Sequence, residues 1–256
     1  NLANRHGRVV ADHIAGRSTR PVKTIGTAIV KVFELMIAAT GWNEKRLAAS
    51  GREYKVIHSH PNSHAGYYPG AQQMSLKLIF DAKSGEILGA QGIGKEGVDK
   101  RIDVIATAIR GGITAPELAD LELAYAPPFG SAKDAINMLG YISENIMSGL
   151  LETAQWSQID EFTDRGFQLL DVRTASEFAA GSIPGAMSMP VDEIRARISE
   201  LTNRDVLVNC QVGQRGHTAT MLLKELGFNA INLDGGYLTW SNSPAATTTK
   251  EKEYVS

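Results

Sequence analysis

Two periodicities of apolar residues succeed each other along this chain. In the first part, Val9, Val10, His13 and Ile14 form a short helical stripe within residues 1–20. Lys23 to Phe33, rich in Thr, Ile and Val, reads as a strand, and Leu35 to Thr40 is a second apolar run. Asn43 is placed to cap a short helix through Leu47 and Ala48. Tyr54 to His60 alternates as a strand. Met74 to Phe80 and Glu86 to Ile93 form a hairpin across Asp81-Ala82-Lys83-Ser84-Gly85. Val98, Ile102, Ile105 and Ile109 define a helix from Val98 to Arg110, which Gly111-Gly112 ends. Thr114 with Glu117 makes a capping box, Ala126-Pro127-Pro128 an extended connection, and Ala132 to Ile146 a last helix. The whole is an α+β unit with an antiparallel sheet.

Past a junction at Gly149 to Gln155 the pattern changes. Ser157 to Phe162 is a short helix and Gln168 to Val172 a buried strand. Thr174 with Glu177 is a second capping box, and Ile183-Pro184-Gly185-Ala186 a turn entering a strand. Asp205 to Asn209 is a strand, Thr218 to Leu226 a helix, Ala230 to Leu233 a strand and Tyr237 to Trp240 a final helical turn. Short apolar strands alternating with helices predict a parallel sheet covered on both faces. Residues 244–256, polar with a Thr run, read as a disordered tail.

Composition narrows the setting. The chain has 256 residues, 43% of them hydrophobic and 21% charged, with a formal net charge of −2. That length suits roughly two domains. No run approaches the ~18 apolar residues of a membrane span, so no membrane partner is expected. The start at Asn1, already inside a helical pattern, reads as part of a longer chain. The first 150 residues are mildly basic and the rest mildly acidic, and neither half has the charge of a nucleic-acid binder. The one cysteine excludes an internal disulfide and fits a reducing, cytoplasmic compartment. A redox cycle needing two thiols must borrow the second.

That cysteine carries the sharpest chemistry. Leu207-Val208-Asn209-Cys210-Gln211-Val212-Gly213-Gln214-Arg215-Gly216 runs from strand through loop into helix. Cys210 sits just past the strand's carboxyl end, where open parallel sheets place their sites. Loop N–H groups, the helix N-terminus and Arg215 all favour thiolate, the nucleophilic form. No acid lies between Cys210 and Gly216. The bland reading is a buried structural cysteine. The rival chemistry is a phosphatase, but those loops hold five residues between Cys and Arg and this one holds four, a size suited to one sulfur atom. Asp171, Arg173 and Glu177 read as a cap and a charge network behind the loop.

Two features of the first half tempt less. Gly92-Ile93-Gly94-Lys95-Glu96-Gly97 has the spacing of a dinucleotide fingerprint, but its strand belongs to a hairpin and no parallel strand returns. His58, His60 and His64 have a metal-like spacing without a nearby Cys, Asp or Glu, so no metal is expected and polar loop histidines are the plainer reading.

The cysteine loop resembles that of the rhodanese family: Cys, four residues, Arg. Leu170-Asp171-Val172-Arg173, Glu177-Phe178, Gly181-Ser182-Ile183-Pro184-Gly185-Ala186 and Gly235-Gly236-Tyr237 with Trp240 extend the resemblance over residues 154–243. Ser182 and His217 depart from it, standing where histidine and an aromatic residue are frequent. The resemblance implies a sulfurtransferase with a transient Cys210 persulfide, the loop of Gln211, Val212, Gly213, Gln214, Arg215 and Gly216 cradling the sulfur.

His64-Ala65-Gly66-Tyr67-Tyr68-Pro69-Gly70-Ala71, Gly97-Val98-Asp99-Lys100-Arg101-Ile102-Asp103 and Leu123-Ala124-Tyr125-Ala126-Pro127-Pro128 resemble the dimerisation domain of coenzyme A disulfide reductases, flavin-dependent pyridine nucleotide–disulfide oxidoreductases. Leu2-Ala3-Asn4-Arg5-His6-Gly7-Arg8 is similar to the end of their FAD-binding domain. The implied division is 1–22 as the end of an FAD domain, 23–150 as the dimerisation domain, 154–243 as the rhodanese domain and 244–256 as the tail. The resemblance also implies a homodimer and FAD and NAD(P)H in the parent, with Leu2 and Ala3 towards FAD. CoA is the expected ligand, and the substrates are small thiols, disulfides or persulfides. It places Tyr67, or its neighbour Tyr68, with Tyr125 near the reacting sulfur, as acid catalysts or as interface residues. Two other readings stay open: a stand-alone sulfurtransferase on a dimerisation scaffold, and a non-catalytic rhodanese-like binding module.

Overall fold

The computed structural model describes residues 2–21 and 23–246. Helix α1 (Leu2–Ile14) buries none of its residues. The first sheet is five-stranded, in the order β1 (Ala28–Val32), β2 (Leu35–Gly41), β5 (Ile87–Gly94), β4 (Met74–Phe80), β3 (Lys55–Ser59). All its pairings are antiparallel. Helix α2 (Glu44–Ser50) starts at Asn43, whose side chain accepts from the Arg46 N–H as expected. Helices α3 (Val98–Gly111) and α4 (Ala135–Met147) lie on one face. Val98, Ile102 and Ile105 of α3 and Ile136 and Leu139 of α4 meet Leu76, Leu78 and Ala90 in one buried cluster. A core helix with apolar residues at three- and four-residue spacing needs such a sheet face to cover it.

The second sheet is parallel throughout. Its order is β6 (Thr153–Ala154), β10 (Asn229–Leu233), β9 (Asp205–Asn209), β7 (Gln168–Asp171), β8 (Met187–Ser188). Around it stand α5 (Ile159–Asp164), α6 (Ala175–Ala179), α7 (Ile194–Arg197), α8 (Gln214–Glu225) and α9 (Gly236–Ser241). Separate apolar clusters fill its two faces: one holds Val206, Val208, Ala219 and Leu223, the other Leu169, Leu207, Ile231 and Trp240. The central strand is β9, the most apolar, and its end is where the cysteine loop begins. The fold is thus α/β overall, an antiparallel α+β unit followed by a parallel one, as the patterning predicted.

Several expected boundaries move. The strand drawn over Lys23–Phe33 shortens to Ala28–Val32, because Gly26, with φ +72, turns the chain and its N–H bonds Thr24 Oγ1. The helix expected from Thr218 begins at Gln214. Its first turn is polar, so hydrophobic periodicity cannot report it. Thr114 and Glu117 do bond each other, but the segment they start is a 3-10 turn, Pro116–Asp120. The tail drawn from residue 244 begins too early, since residues 244–246 are helical and Ala246 is buried in the second unit's core. Residues 247–256 of that tail lie outside the described residues.

Candidate active site

Cys210 leaves the central strand fully buried, and its Sγ accepts a hydrogen bond from the Gly213 N–H at 3.1 Å. Gly213, at φ +97, reverses the loop so that α8 starts at the next residue. The thiol therefore sits at the foot of a helix N-terminus, with a backbone donor on its sulfur. The turn after β10 braces the loop from behind: the Tyr237 N–H donates to the Cys210 carbonyl at 2.7 Å and the Leu238 N–H to that of Gln211 at 3.0 Å.

Two arginines flank the loop in different ways. Arg173 is 2% exposed. Its guanidinium grips Asp171 at 2.7–3.0 Å, donates to the Gly181 carbonyl at 2.7 Å and reaches Gln211 Oε1 at 3.2 Å. It also lies 3.9 Å from the centre of the Tyr237 ring. This is the charge network that the sequence placed behind the loop. Arg215 is held by Glu177 through two bonds, 2.7 and 2.6 Å. That fork holds the Glu177 carboxyl at about 2, well below the usual carboxylate range, and raises Arg215 further. The loop itself contains no acid, but an acid from α6 folds onto it. Arg215 consequently presents a shared charge to Cys210 rather than a free one. Local reading could not find this: Glu177 is at once the capping-box residue of α6, accepting from Thr174, and the partner of Arg215.

Val212, Gly213 and Gln214 also line a cavity of about 410 Å³ between the two units. His217, one turn along α8, borders the same cavity, and burial lowers its pKa.

Tyr67 and Tyr125 form a pair of their own on the first unit. Their hydroxyls are 3.4 Å apart and their side chains are 78% and 49% exposed. The Tyr67 hydroxyl beside it pushes the Tyr125 phenol up. Tyr68 faces the His64 ring instead, edge-on at 5.8 Å. Neither Tyr67 nor Tyr125 shares a hydrogen bond with the cysteine loop. Leu2 and Ala3 are exposed on α1, and Leu2 borders an open cavity of about 720 Å³ with Arg5, Lys23 and Arg110. Strand β5, before the glycine motif, pairs antiparallel on both sides, so the βαβ context of a dinucleotide site is missing. The glycine motif of residues 92–97 is therefore no dinucleotide site.

The geometry finds counterparts among known proteins. Residues 27–136 match the pyridine nucleotide-disulphide oxidoreductase dimerisation domain, and residues 155–243 the rhodanese-like domain. The two matched stretches follow each other along the chain. Staphylococcus aureus coenzyme A disulfide reductases are 41% identical over 140 residues, which is 54% of this chain and 32% of theirs. The crystal structure of reduced Bacillus anthracis CoADR-RHD superposes with TM-score 0.90 at 47% identity, over 93% of this chain and 43% of that one. An NAD-dependent persulfide reductase from A. fulgidus follows at TM-score 0.84 and 35% identity, over 93% and 43%. The chain thus spans about a third of the curated relatives' length and less than half of these solved structures.

Sequence reasoning missed the seam between the dimerisation and rhodanese-like domains. Strand β3 is an edge strand. Its outward His58 N–H donates to Asp234 Oδ1 at 3.0 Å, and His58 Nδ1 donates to Asp234 Oδ2 at 2.6 Å. Gln155 Nε2 reaches both the Val56 carbonyl at 3.0 Å and Asp234 Oδ2 at 3.2 Å. His60 bonds Ser75 Oγ at 2.8 Å and Thr239 Oγ1 at 2.7 Å, and burial lowers its pKa to about 4. Two of the three histidines expected to be plain loop residues, His58 and His60, therefore form the docking surface, with the acid thought absent supplied by Asp234 of the second unit, while His64 stays within the first unit against Tyr68. Among the described residues no group of three His, Cys, Asp or Glu could hold a metal ion. No described helix is long and apolar enough to cross a membrane.

Proposed function

We propose that Cys210 carries sulfane sulfur. Its thiolate attacks the outer sulfur of a persulfide, polysulfide or thiosulfate donor. The donor's S–S bond breaks, its thiolate or sulfite leaves, and Cys210 becomes a persulfide. A thiol or cyanide acceptor then takes the outer sulfur and frees the thiolate. The observation that carries this reading is the Cys210 thiol at the end of the central strand, accepting from the Gly213 N–H at a helix start. In the parent protein the reading is a homodimeric, FAD- and NAD(P)H-dependent reductase of coenzyme A disulfide, coenzyme A persulfide or a related polysulfide. The matched dimerisation domain supports that assembly, as do the apolar residues Ile29, Val30, Val32 and Phe33 exposed on the β1–β2 hairpin. In this reading Tyr67 and Tyr125 donate a hydrogen bond or proton to a leaving thiolate once such a dimer forms.

The complete burial of Cys210 favours a second reading, a rhodanese-like docking module with an inert thiol. One assay separates them. The chain is given thiosulfate or polysulfide with cyanide as acceptor, and Cys210→Ser is run beside it. The expected outcome is turnover by the parent and none by the serine variant. A serine variant as active as the parent removes Cys210 from the chemistry, and an inactive parent favours the docking module.

A further inference from the structure

The turn of residues 234–239 is bonded on one side to the cysteine loop and on the other to the dimerisation domain. On the loop side, Tyr237 and Leu238 donate to the carbonyls of Cys210 and Gln211 at 2.7 and 3.0 Å. Gly236, at φ +61, lies so close that a Cβ there would collide with the Cys210 carbonyl. On the domain side, Asp234 is 4% exposed and accepts from the His58 N–H, from His58 Nδ1 and from Gln155. Gly235, at φ +65, packs its Cα where a Cβ would strike the Cβ of His58. Thr239 completes the side through His60 at 2.7 Å.

The carboxylate of Asp234 is therefore buried, and two of its three side-chain donors come from one residue of the other domain. A buried carboxylate that loses its donors must regain water or move. If it moves, the turn moves, and the turn is hydrogen-bonded to the residue that bears the thiol.

We propose that His58 and Asp234 are positioning residues for Cys210: docking of the rhodanese-like domain on the edge of β3 sets the geometry of the sulfur-carrying loop. The inference rests on Cys210 as the reacting group, but its structural half can be read without that chemistry. Neither residue touches the reacting sulfur, and each acts through the backbone of the turn. The ligand-sized cavity between the domains, bordered by His58, Asp234 and Gln214, is shaped by the same contact.

The test uses the whole chain with His58→Ala, Asp234→Ala and the double variant. It also uses His58→Asn, whose amide nitrogen can stand where Nδ1 stood, and Leu47→Ala as a control. Leu47 is packed with Val56, Ile79 and Leu88, so it touches β3 as well but supplies no seam donor or acceptor, and its loss lowers stability without deleting a seam hydrogen-bonding group. Two readouts are taken on samples shown to be folded by circular dichroism. The first is sulfur transfer. Each alanine variant is expected to lower kcat by about threefold to thirtyfold, the size of a coupling between contacting residues, with KM within about twofold of the parent. The double variant is expected to be no slower than the slower single one, and His58→Asn to recover most of the loss. The second is amide exchange at Tyr237 and Leu238, expected about tenfold faster in His58→Ala, matching the same coupling, and unaltered in Leu47→Ala. The proposal is overturned by parental exchange at both amides in His58→Ala, or by losses that multiply in the double variant. Equal effects from Leu47→Ala also overturn it, since they would show that general destabilisation suffices. If the parent transfers no sulfur, the exchange data alone decide, and it is the sulfur-carrier reading that fails.

Discussion

The Cys210 loop and the Tyr67–Tyr125 pair are the two places where this chain offers reactive groups, and they are built in opposite ways. The loop is enclosed. Its thiol is fully buried, its carbonyls are bonded, its arginines are both paired, and a sheet lies beneath it. The tyrosines stand in the open, bonded to each other at 3.4 Å. A phenol in water is a weak and unoriented acid, because preorganisation, rather than residue type, gives a polar group its catalytic effect. The contrast separates a loop enclosed by hydrogen bonds within this chain from a partial surface whose function depends on something placed against it. A reactive residue type is thus informative only together with its surroundings.

That difference can be broken by mutation. The largest expected effect is on the buried pair behind the loop. Asp171→Ala leaves the Arg173 guanidinium, 2% exposed, without its main partner, and stability should fall by about 3–5 kcal/mol, the usual range for breaking a buried pair. Urea unfolding measures it, and a loss under about 1 kcal/mol would show that Gln211 and the Gly181 carbonyl suffice. A smaller effect is expected at the mouth. Arg215→Ala should lower kcat/KM for thiosulfate several-fold, and Glu177→Gln, which unmasks the guanidinium, should raise it by a similar factor, in keeping with about 1 kcal/mol for a partly exposed pair. Opposite signs identify Arg215 as an electrostatic aid to the anionic donor. Equal losses identify the pair as a brace. The smallest effect is expected for Tyr67→Phe and Tyr125→Phe. In this chain each should leave stability within about 0.5 kcal/mol, as for surface substitutions, and sulfur transfer by Cys210 unaltered. A loss of transfer in either would mean that the tyrosines and the loop work as one site, and the comparison would collapse.

The local sequence announced most of the architecture. Asp205–Asn209 is the strand expected, the hairpin over Asp81–Gly85 pairs as its turn residues require, and Thr174 caps α6 with Glu177 as its spacing implied. Each of these is written in contiguous residues whose propensity and tertiary context agree. The cysteine loop was legible for the same reason, being a strand, a glycine turn and a helix start in one stretch. What escaped was pairing between distant segments. Glu177 with Arg215, and His58 with Asp234, are ordinary surface-type residues whose partners are fixed only when the sheets assemble. Hydrophobic period carries no information about them. The packed residues 244–246 escaped differently: three short residues after Ser243 are too few to show a period, although Ala246 is 1% exposed.

The seam on β3 has a further consequence for how this chain can be divided. An edge strand shows unpaired N–H and C=O groups that invite another strand to pair with them. Here the outward His58 N–H and Val56 carbonyl are occupied by side chains of the rhodanese-like domain. That domain therefore also covers the β3 edge of the first sheet against strand pairing. A piece cut after residue 150 would bare the edge along Lys55–Ser59, with only Lys55 at its start as a charged deterrent. Strand-to-strand stacking of such pieces, rather than unfolding, is the failure that cutting the chain there invites.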